Sequence, residues 1–246
     1  MRVYDMHCHA HEFPLEELSQ IVEEFPGDLV VVAVSEDLES LYKTLEYAQT
    51  LNGNLIPCAG LHPWSIGEVT LQEAYEIARA AERLGLNCIG EVGLDRKFVD
   101  PTTYKVQEEV FRLFLRTARE LDAYVTIHSP KAWARALTML VEEGVEKAMF
   151  HWYTGPLNLI DEIIASGYYI SINPAIKIQE KHRRVAEHTP LRGMVLESDG
   201  PYNYRGLRLN PLMIPEAAEF VARLKGVARE EVLEAAGQNS ARLLGL

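Results

Sequence analysis

Residues 29–34 (LVVVAV) and residues 87–94 (NCIGEVGL) decide the fold class of this chain. Side chains alternate between the two faces of an extended strand, and both stretches are apolar on both faces. That pattern is typical of parallel strands that are covered on each side. On either side of these two stretches, short β-branched runs alternate with longer amphipathic stretches along the whole sequence.

Eight segments have the strand pattern, and a helical pattern follows each of them. The predicted strands are residues 3–9, 29–35, 55–62, 87–93, 123–128, 148–152, 168–173 and 193–198. The predicted helices are residues 15–25, 37–51, 71–84, 102–121, 131–143, 157–166, 179–188 and 211–225, with a closing helix over 230–246. The sequence therefore predicts an α/β protein with a (β/α)8 TIM barrel, formed as one domain over residues 1–246. The alternative is an open α/β sheet of six or seven strands.

Composition limits the partners that the protein can have. Lys and Arg number 24 against 36 Asp and Glu, a net charge of −12, which argues against a sequence-independent nucleic-acid binder with a broad basic face. A locally positive cleft is compatible with that charge. The three cysteines, Cys8, Cys58 and Cys88, are too few for a disulfide framework, so we expect reduced side chains packed as small hydrophobes. The sequence shows no membrane span, signal peptide or obligate protein partner, which favours a cytoplasmic location.

Side chains that bind metals collect at the carboxyl ends of the predicted strands. They are His7, His9, His62, Glu91, His128, His151 and Asp199. The carboxyl ends of parallel barrel strands share one face, where active sites form. On an extended strand His7 and His9 point to the same side, and Cys8 points to the other. The spacing therefore predicts a metal site at this end of the barrel.

The chemistry of these residues suits divalent ions such as Zn²⁺, Mn²⁺, Fe²⁺ or Co²⁺. Glu91 lies between two groups of histidines along the chain, so it could bridge two ions. Two such ions activate water at neutral pH and polarise a carbonyl or phosphoryl oxygen. We expect Asp199 to bind one ion and to accept the proton of that water as a general base.

Several motifs resemble those of the TatD-type metal-dependent hydrolases of the amidohydrolase superfamily. They are DMHCH at 5–9, GLHPW at 60–64, GEVGLD at 90–95, IHSP at 127–130, FHWYTG at 150–155, LESDGPY at 196–202 and NSARLLGL at 239–246. The resemblance runs from residue 5 to the C-terminus in the family's order. It implies a metallo-dependent hydrolase barrel that acts on phosphodiesters, mainly as a DNase.

The resemblance also assigns roles to individual residues. His7, His9, Glu91 and Asp199 resemble the ligands of a first ion, and Glu91, His128 and His151 resemble those of a second. The implied cofactors are two divalent ions, with Zn, Mn, Mg, Fe and Co as candidates. Asp199 and Glu91 are the expected catalytic residues, and the resemblance makes His62 a residue that either supports the metal ligands or contacts phosphate.

Other substrate contacts are predicted from position alone. Trp152 and Tyr153 follow strand six and could stack on bases, and Lys177 follows strand seven and could reach a phosphate. After the strand-five histidine the family usually has a nearby arginine, whereas this chain reads HSPKAW at 128–133, which leaves open whether Lys131 replaces it. A lysine cannot form a bidentate guanidinium clamp on phosphate. The loop after Asp95, beginning at Arg96, also departs from the family. Both departures leave the identity of the substrate open.

Two histidine segments are predicted to have no functional role. His11 is read as a polar neighbour on the loop after strand one, and the segment KHRRVAEH at 181–188 as a solvated helix face.

The sequence favours a phosphodiesterase or deoxyribonuclease that acts on nucleic acid or a small phosphoester. One alternative is an amidohydrolase that acts on a small cyclic amide or lactone, since the same metals attack either electrophile. The other alternative is a barrel that binds a ligand without catalysis.

Overall fold

The computed structural model describes residues 2–66 and 71–246. Eight parallel strands form the centre of the fold. They are β1 (Arg2–Cys8), β2 (Asp28–Ala33), β3 (Leu55–Pro57), β4 (Cys88–Gly93), β5 (Tyr124–His128), β6 (Ala148–Phe150), β7 (Tyr169–Ile172) and β8 (Met194–Leu196). Strands β1 to β3 pair in order, and β4 to β8 pair in order.

Two contacts join these ladders into a closed barrel. A bridge between Ala59 and Ile89 connects the chain after β3 to β4. The backbone N–H of Asp199, just after β8, donates to the carbonyl of His7 in β1 at 2.9 Å. The predicted (β/α)8 barrel is therefore confirmed, and the open sheet is excluded.

Helices surround the barrel in the order that the sequence predicts. Among the residues described they are α1 (Leu15–Glu24), α2 (Leu38–Thr50), α3 (Leu71–Leu84), α4 (Tyr104–Leu121), α5 (Trp133–Glu143), α6 (Leu157–Ala165), α7 (Glu180–His188), α8 (Ile214–Lys225) and α9 (Arg229–Leu244). Helix α4 shows why they form, because Val110, Phe114 and Ala118 recur at helical spacing and are buried against the barrel. None of the helices described is long and apolar enough to span a membrane.

The two faces of β2 contribute to separate cores. Val30 and Val32 point into the barrel, where they pack with Met6 and Tyr124. Val31, the residue between them, packs in the layer between strands and helices. The apolar character of both strand faces in the sequence thus has a direct structural cause.

Strand β3 is shorter than the predicted segment 55–62. Pro57 has no N–H to donate to a neighbouring strand. Beyond it the backbone forms isolated hydrogen bonds, such as the one from the Cys58 N–H to the Ala33 carbonyl at 2.9 Å. Gly60 then passes close to β4, where a Cβ atom would lie 2.5 Å from the backbone nitrogen of Glu91. A side chain at position 60 would therefore displace the segment that carries Glu91.

The cysteine prediction is wrong for two of the three residues. Cys58 and Cys88 form a disulfide, whereas Cys8 is free and buried as expected. Barrel closure brings the chain after β3 alongside the start of β4, so the two Cα atoms lie 4.5 Å apart. Their separation of 30 residues along the chain gives no sign of this contact.

Candidate metal centre

All six predicted ligands converge at the carboxyl end of the barrel. Glu91 is central and almost wholly buried. Its Oε2 atom lies 3.3 Å from His7 Nε2 and 3.6 Å from His9 Nε2. Its Oε1 atom lies 3.0 Å from His128 Nδ1 and 3.4 Å from His62 Nε2. Each carboxylate oxygen thus faces a different pair of histidines, which is the arrangement that a bridging ligand requires.

Asp199 completes one side of the centre. Its Oδ1 atom lies 3.6 Å from His7 Nε2, 3.5 Å from His9 Nε2 and 3.7 Å from His151 Nε2. The residue has a φ of 58°, a left-handed conformation that is uncommon for a residue with a Cβ atom. Such backbone conformations cluster at functional sites, where the surrounding structure holds them in place.

The spacing of these atoms fits metal coordination better than direct hydrogen bonding. Around Glu91 and Asp199, most nitrogen–oxygen distances lie between 3.3 and 3.7 Å. Ligands at 2.0–2.1 Å from a tetrahedral ion are about 3.3 Å apart. The exception is the contact between His128 Nδ1 and Glu91 Oε1, which at 3.0 Å has an ordinary hydrogen-bond length, as do the histidine contacts just outside the centre, at 2.8 to 3.0 Å. His7 Nε2 is also buried without any hydrogen-bond partner.

The residues form overlapping groups that can each hold an ion. These are His7, His9 and Asp199; His7, Glu91 and His151; and His62, Glu91 and His128. His151 therefore groups with His7, on which its ring stacks at 3.8 Å, rather than with His128. His62 occupies the position beside His128. The division of ligands between two ions, and the placing of His62 among substrate contacts, stay predictions.

Electrostatics also favour a cation here. Among the residues described, Glu91, Asp199 and the neighbouring Glu197 form ion pairs only with histidines. Burial lowers the pKa of His7, which keeps its imidazole neutral. Burial alone would lower the pKa of His9 as well, but Asp199 and Glu91 raise it to about 10. A protonated histidine thus supplies positive charge that a metal ion would otherwise provide.

Comparison with known proteins agrees with this site. The family model described as TatD related DNase matches residues 4–245. The human deoxyribonuclease TATDN3 is 31% identical to this chain, over 97% of the chain and 93% of the human protein. The uncharacterized metal-dependent hydrolase YcfH of Escherichia coli K12 is 30% identical, over 99% of the chain and 96% of that protein. The chain belongs to the TatD-related DNase family.

Comparison with solved structures agrees with the barrel fold. The crystal structure of YjjV, a TatD homologue from E. coli K12, superposes with a TM-score of 0.88 at 21% identity, covering 99% of this chain and 98% of that chain. The family match and the similar hydrolases show that the TatD-family chain is a metal-dependent hydrolase, and the superposition shows its metallo-dependent hydrolase barrel. The predicted fold, enzyme class and need for divalent metal are confirmed.

Buried acceptors orient the histidines of this TatD-family centre. Thr126 Oγ1 lies 2.8 Å from His7 Nδ1, Glu197 Oε2 lies 3.0 Å from His151 Nδ1, and Asp95 Oδ2 lies 2.8 Å from His128 Nε2. Such partners fix the ring and raise the basicity of a metal-binding histidine. Sequence analysis missed Glu197 and Asp95 as functional residues. The sequence offered one signal, because Glu197 lies near the carboxyl end of the predicted strand 193–198, two residues before Asp199.

Glu197 is held by several donors. The Trp152 N–H donates to its Oε1 at 3.1 Å, and the Asn173 side chain donates to the same atom at 3.2 Å. The Asn173 N–H in turn donates to His182 Nε2 at 3.1 Å. His182 is fully buried, so the interpretation of the segment 181–188 as a solvated face is wrong for this residue. Burial lowers the pKa of His182 to about 4, which keeps that ring an acceptor.

Replacing Glu197 by Gln should weaken metal binding by about 10- to 100-fold, because His151 loses the carboxylate that orients it. The pKa of His151 should also fall from about 9, since burial lowers it and Glu197 is the first group that raises it. Chelator competition measures the affinity, and NMR titration of the imidazole measures the pKa. The exposed Glu162→Gln is the matched control. Unchanged values in Glu197→Gln would rule out an orienting role.

Metal affinity should depend steeply on pH. In the metal-free protein the pKa values of His9 and His151 are raised to about 10 and about 9, so both rings hold a proton at neutral pH. A metal must displace these protons, so affinity falls as pH falls below 9, by up to about 100-fold per unit for two protons. Zinc titration at pH 6.5 to 9.5, in buffers of different ionisation enthalpy, counts the released protons. Affinity that is independent of pH would contradict this.

The structure separates the four predicted substrate contacts. Trp152 is partly exposed beside the centre, and its ring contacts those of Tyr202 and Tyr204 at centroid distances of 6.0 and 5.1 Å. Tyr153 is fully buried and donates its hydroxyl to the Pro156 carbonyl at 2.7 Å. The prediction for Tyr153 is therefore wrong. The side chains of these two neighbouring residues point in opposite directions, so that Trp152 is partly exposed and Tyr153 is buried. The remaining two contacts are His62, described above, and Lys177.

Lys177 forms an ion pair with Glu216 at 2.8 Å. That pairing neutralises its charge, and contact with a substrate phosphate stays a prediction.

Proposed function

We propose that this TatD-family chain hydrolyses phosphodiester bonds in DNA. The observation that carries the proposal is the division of the Glu91 carboxylate between the His7–His9 pair and the His62–His128 pair. A site with that division can hold two adjacent cations, and such pairs support in-line displacement at phosphorus. The similar human protein TATDN3 is named a deoxyribonuclease. That name favours DNA over other phosphodiesters as the substrate.

The residues of the chain have separate tasks in this reaction. The bound cations supply the Lewis acidity that activates water and stabilises the charge developing on the phosphoryl oxygens. Asp199, whose Oδ1 faces three histidines, accepts the proton of the attacking water. Glu197 and Thr126 hold His151 and His7 in place while this occurs.

Aromatic side chains border the centre on two sides. Trp64 and Phe98 form an exposed pair whose ring centroids lie 5.8 Å apart, and the Trp64 ring also contacts His128. Trp152, Tyr202 and Tyr204 form the other group. Unpaired bases stack on such rings without sequence preference, so the arrangement suits single-stranded or frayed DNA.

Replacing Tyr202 by Ala should raise KM for single-stranded DNA by about 5- to 150-fold, the effect of losing one base–aromatic stack. The value of kcat should change little, because the contact of Tyr202 with a predicted metal ligand is a backbone one, from its N–H to the Asp199 carbonyl at 3.1 Å, and alanine keeps that bond. Tyr75→Ala is the matched control, since Tyr75 is similarly exposed on α3. Equal KM values for the two variants would show that bases do not stack on Tyr202.

A substrate panel tests the proposed function directly. Metal-free protein is reconstituted with Zn²⁺, Mn²⁺ or Mg²⁺ and assayed on single-stranded and double-stranded DNA, a small phosphodiester, lactones and cyclic amides. We expect DNA hydrolysis that a chelator abolishes and added metal restores. A much higher kcat/KM for a lactone or amide would support the amidohydrolase alternative and overturn the proposal. Failure to bind any metal would support the non-catalytic barrel.

A further inference from the structure

A second group of potential ligands lies beside the centre and takes no part in the proposed reaction. His11 and Glu12 belong to a 3-10 turn, Ala10–Glu12, that follows β1. Glu36 follows β2, which is the neighbouring strand. Each of the three residues, and His9 beside them, offers one atom within 4.8 Å of the others. Two adjacent strand ends therefore present an imidazole and two carboxylates at one point.

His11 is the unusual member of this group. Its side chain is nine-tenths buried, and its Nδ1 atom has no hydrogen-bond partner. Its Nε2 atom lies 3.4 Å from Glu36 Oε2, which is long for a hydrogen bond to a carboxylate. Burying an imidazole without partners costs free energy unless something else satisfies it. An ion between His11 Nε2 and Glu36 would give this buried ring a close partner at the atom that faces the carboxylates, while Nδ1 stays unpaired.

The charges point the same way. Among the residues described, neither Glu12 nor Glu36 forms an ion pair with a lysine or arginine. Glu36 instead faces His9 Nδ1 through Oε1, at 3.6 Å, and His11 Nε2 through Oε2. These distances match the ligand spacing around Glu91 rather than the hydrogen bond between His188 and Asp161, which is 3.0 Å long.

We propose that His11, Glu12 and Glu36 bind a further divalent cation at the mouth of the barrel. One imidazole with two carboxylates suits Zn²⁺, Mn²⁺, Fe²⁺ or Co²⁺. Glu12 is exposed, so the ion keeps coordination positions open to solvent and to an anionic ligand such as phosphate. Glu36 connects this ion to the main centre, because its second oxygen faces His9. The cation site does not require the proposed hydrolysis to take place.

The decisive measurement is anomalous diffraction from crystals of the full chain equilibrated with zinc. We expect a peak between His11 Nε2 and the carboxylates of Glu12 and Glu36, separate from the peaks at Glu91. Metal analysis of desalted protein should show one equivalent fewer in His11→Asn and in Glu12→Gln than in the wild type. His188→Asn and Glu39→Gln are matched controls that should keep the wild-type content.

Glu12→Gln keeps the test valid if His11→Asn folds poorly, because Glu12 is exposed. Wild-type metal content in both variants, or no anomalous peak at His11 while the Glu91 peaks are strong, would overturn the proposal. In either case Glu36 would act only as a hydrogen-bond acceptor for the two rings. A peak at His11 without peaks at Glu91 would retain this site and count against the proposed function instead.

Discussion

Glu91→Gln should reduce kcat/KM for DNA by at least about 10³-fold, which corresponds to about 4 kcal/mol of transition-state stabilisation. The substitution preserves the size of the side chain and removes its charge. In the wild type, burial would raise the pKa of Glu91, but His62, His7 and His128 lower it well below its usual value. The carboxylate is therefore charged at neutral pH, and a neutral amide cannot replace it.

The same substitution should lower the metal content by one equivalent or more. Each Glu91 oxygen faces its own pair of histidines, so its loss affects both sides of the centre. Glu143→Gln is the control, since Glu143 is also buried but pairs with Arg112 and Arg116 far from these residues in the fold. Full metal content together with full turnover in Glu91→Gln would show that the centre is not dinuclear.

The barrel could be predicted because hydrophobic periodicity is a local property that barrel formation preserves. Residues 29–34 are apolar on both faces since Val31 packs against helices while Val30 and Val32 fill the barrel. Element ends depend on finer detail. Strand β3 ends at Pro57, because proline has no backbone N–H to donate to the ladder of hydrogen bonds. The run of apolar residues nevertheless continues toward Leu61.

The predicted ligands converge because parallel strands end on one face, which needs no knowledge of side-chain orientation. The finer arrangement depends on ring direction and on pairs distant in sequence. His151 stacks on His7, and His62 takes the place beside His128, although strand order alone does not determine either contact. The Cys58–Cys88 disulfide has the same origin, since it depends on how β3 meets β4.

Adjacent residues can also take opposite roles. Trp152 has a positive φ of 37° that turns the backbone, so its ring lies at the mouth while Tyr153 enters the core. No pattern in FHWYTG indicates this turn. The buried partners Asp95 and Glu197 were missed for another reason. Each lies in a motif in which another acidic residue had the assigned role, Glu91 in GEVGLD and Asp199 in LESDGPY.

Asp199→Asn should lower kcat by about 10³-fold while KM changes little. The amide keeps the shape of the side chain but cannot accept a proton from water, and positioned general bases contribute about 10²- to 10⁴-fold to rate. His7, His9 and Glu91 remain to hold an ion, so metal content should fall less than in Glu91→Gln. Asp161→Asn, on the exposed surface of α6, is the control. A rise in KM with kcat unchanged would show that Asp199 binds substrate rather than moving a proton, and an equal loss of metal in both variants would make it mainly a ligand.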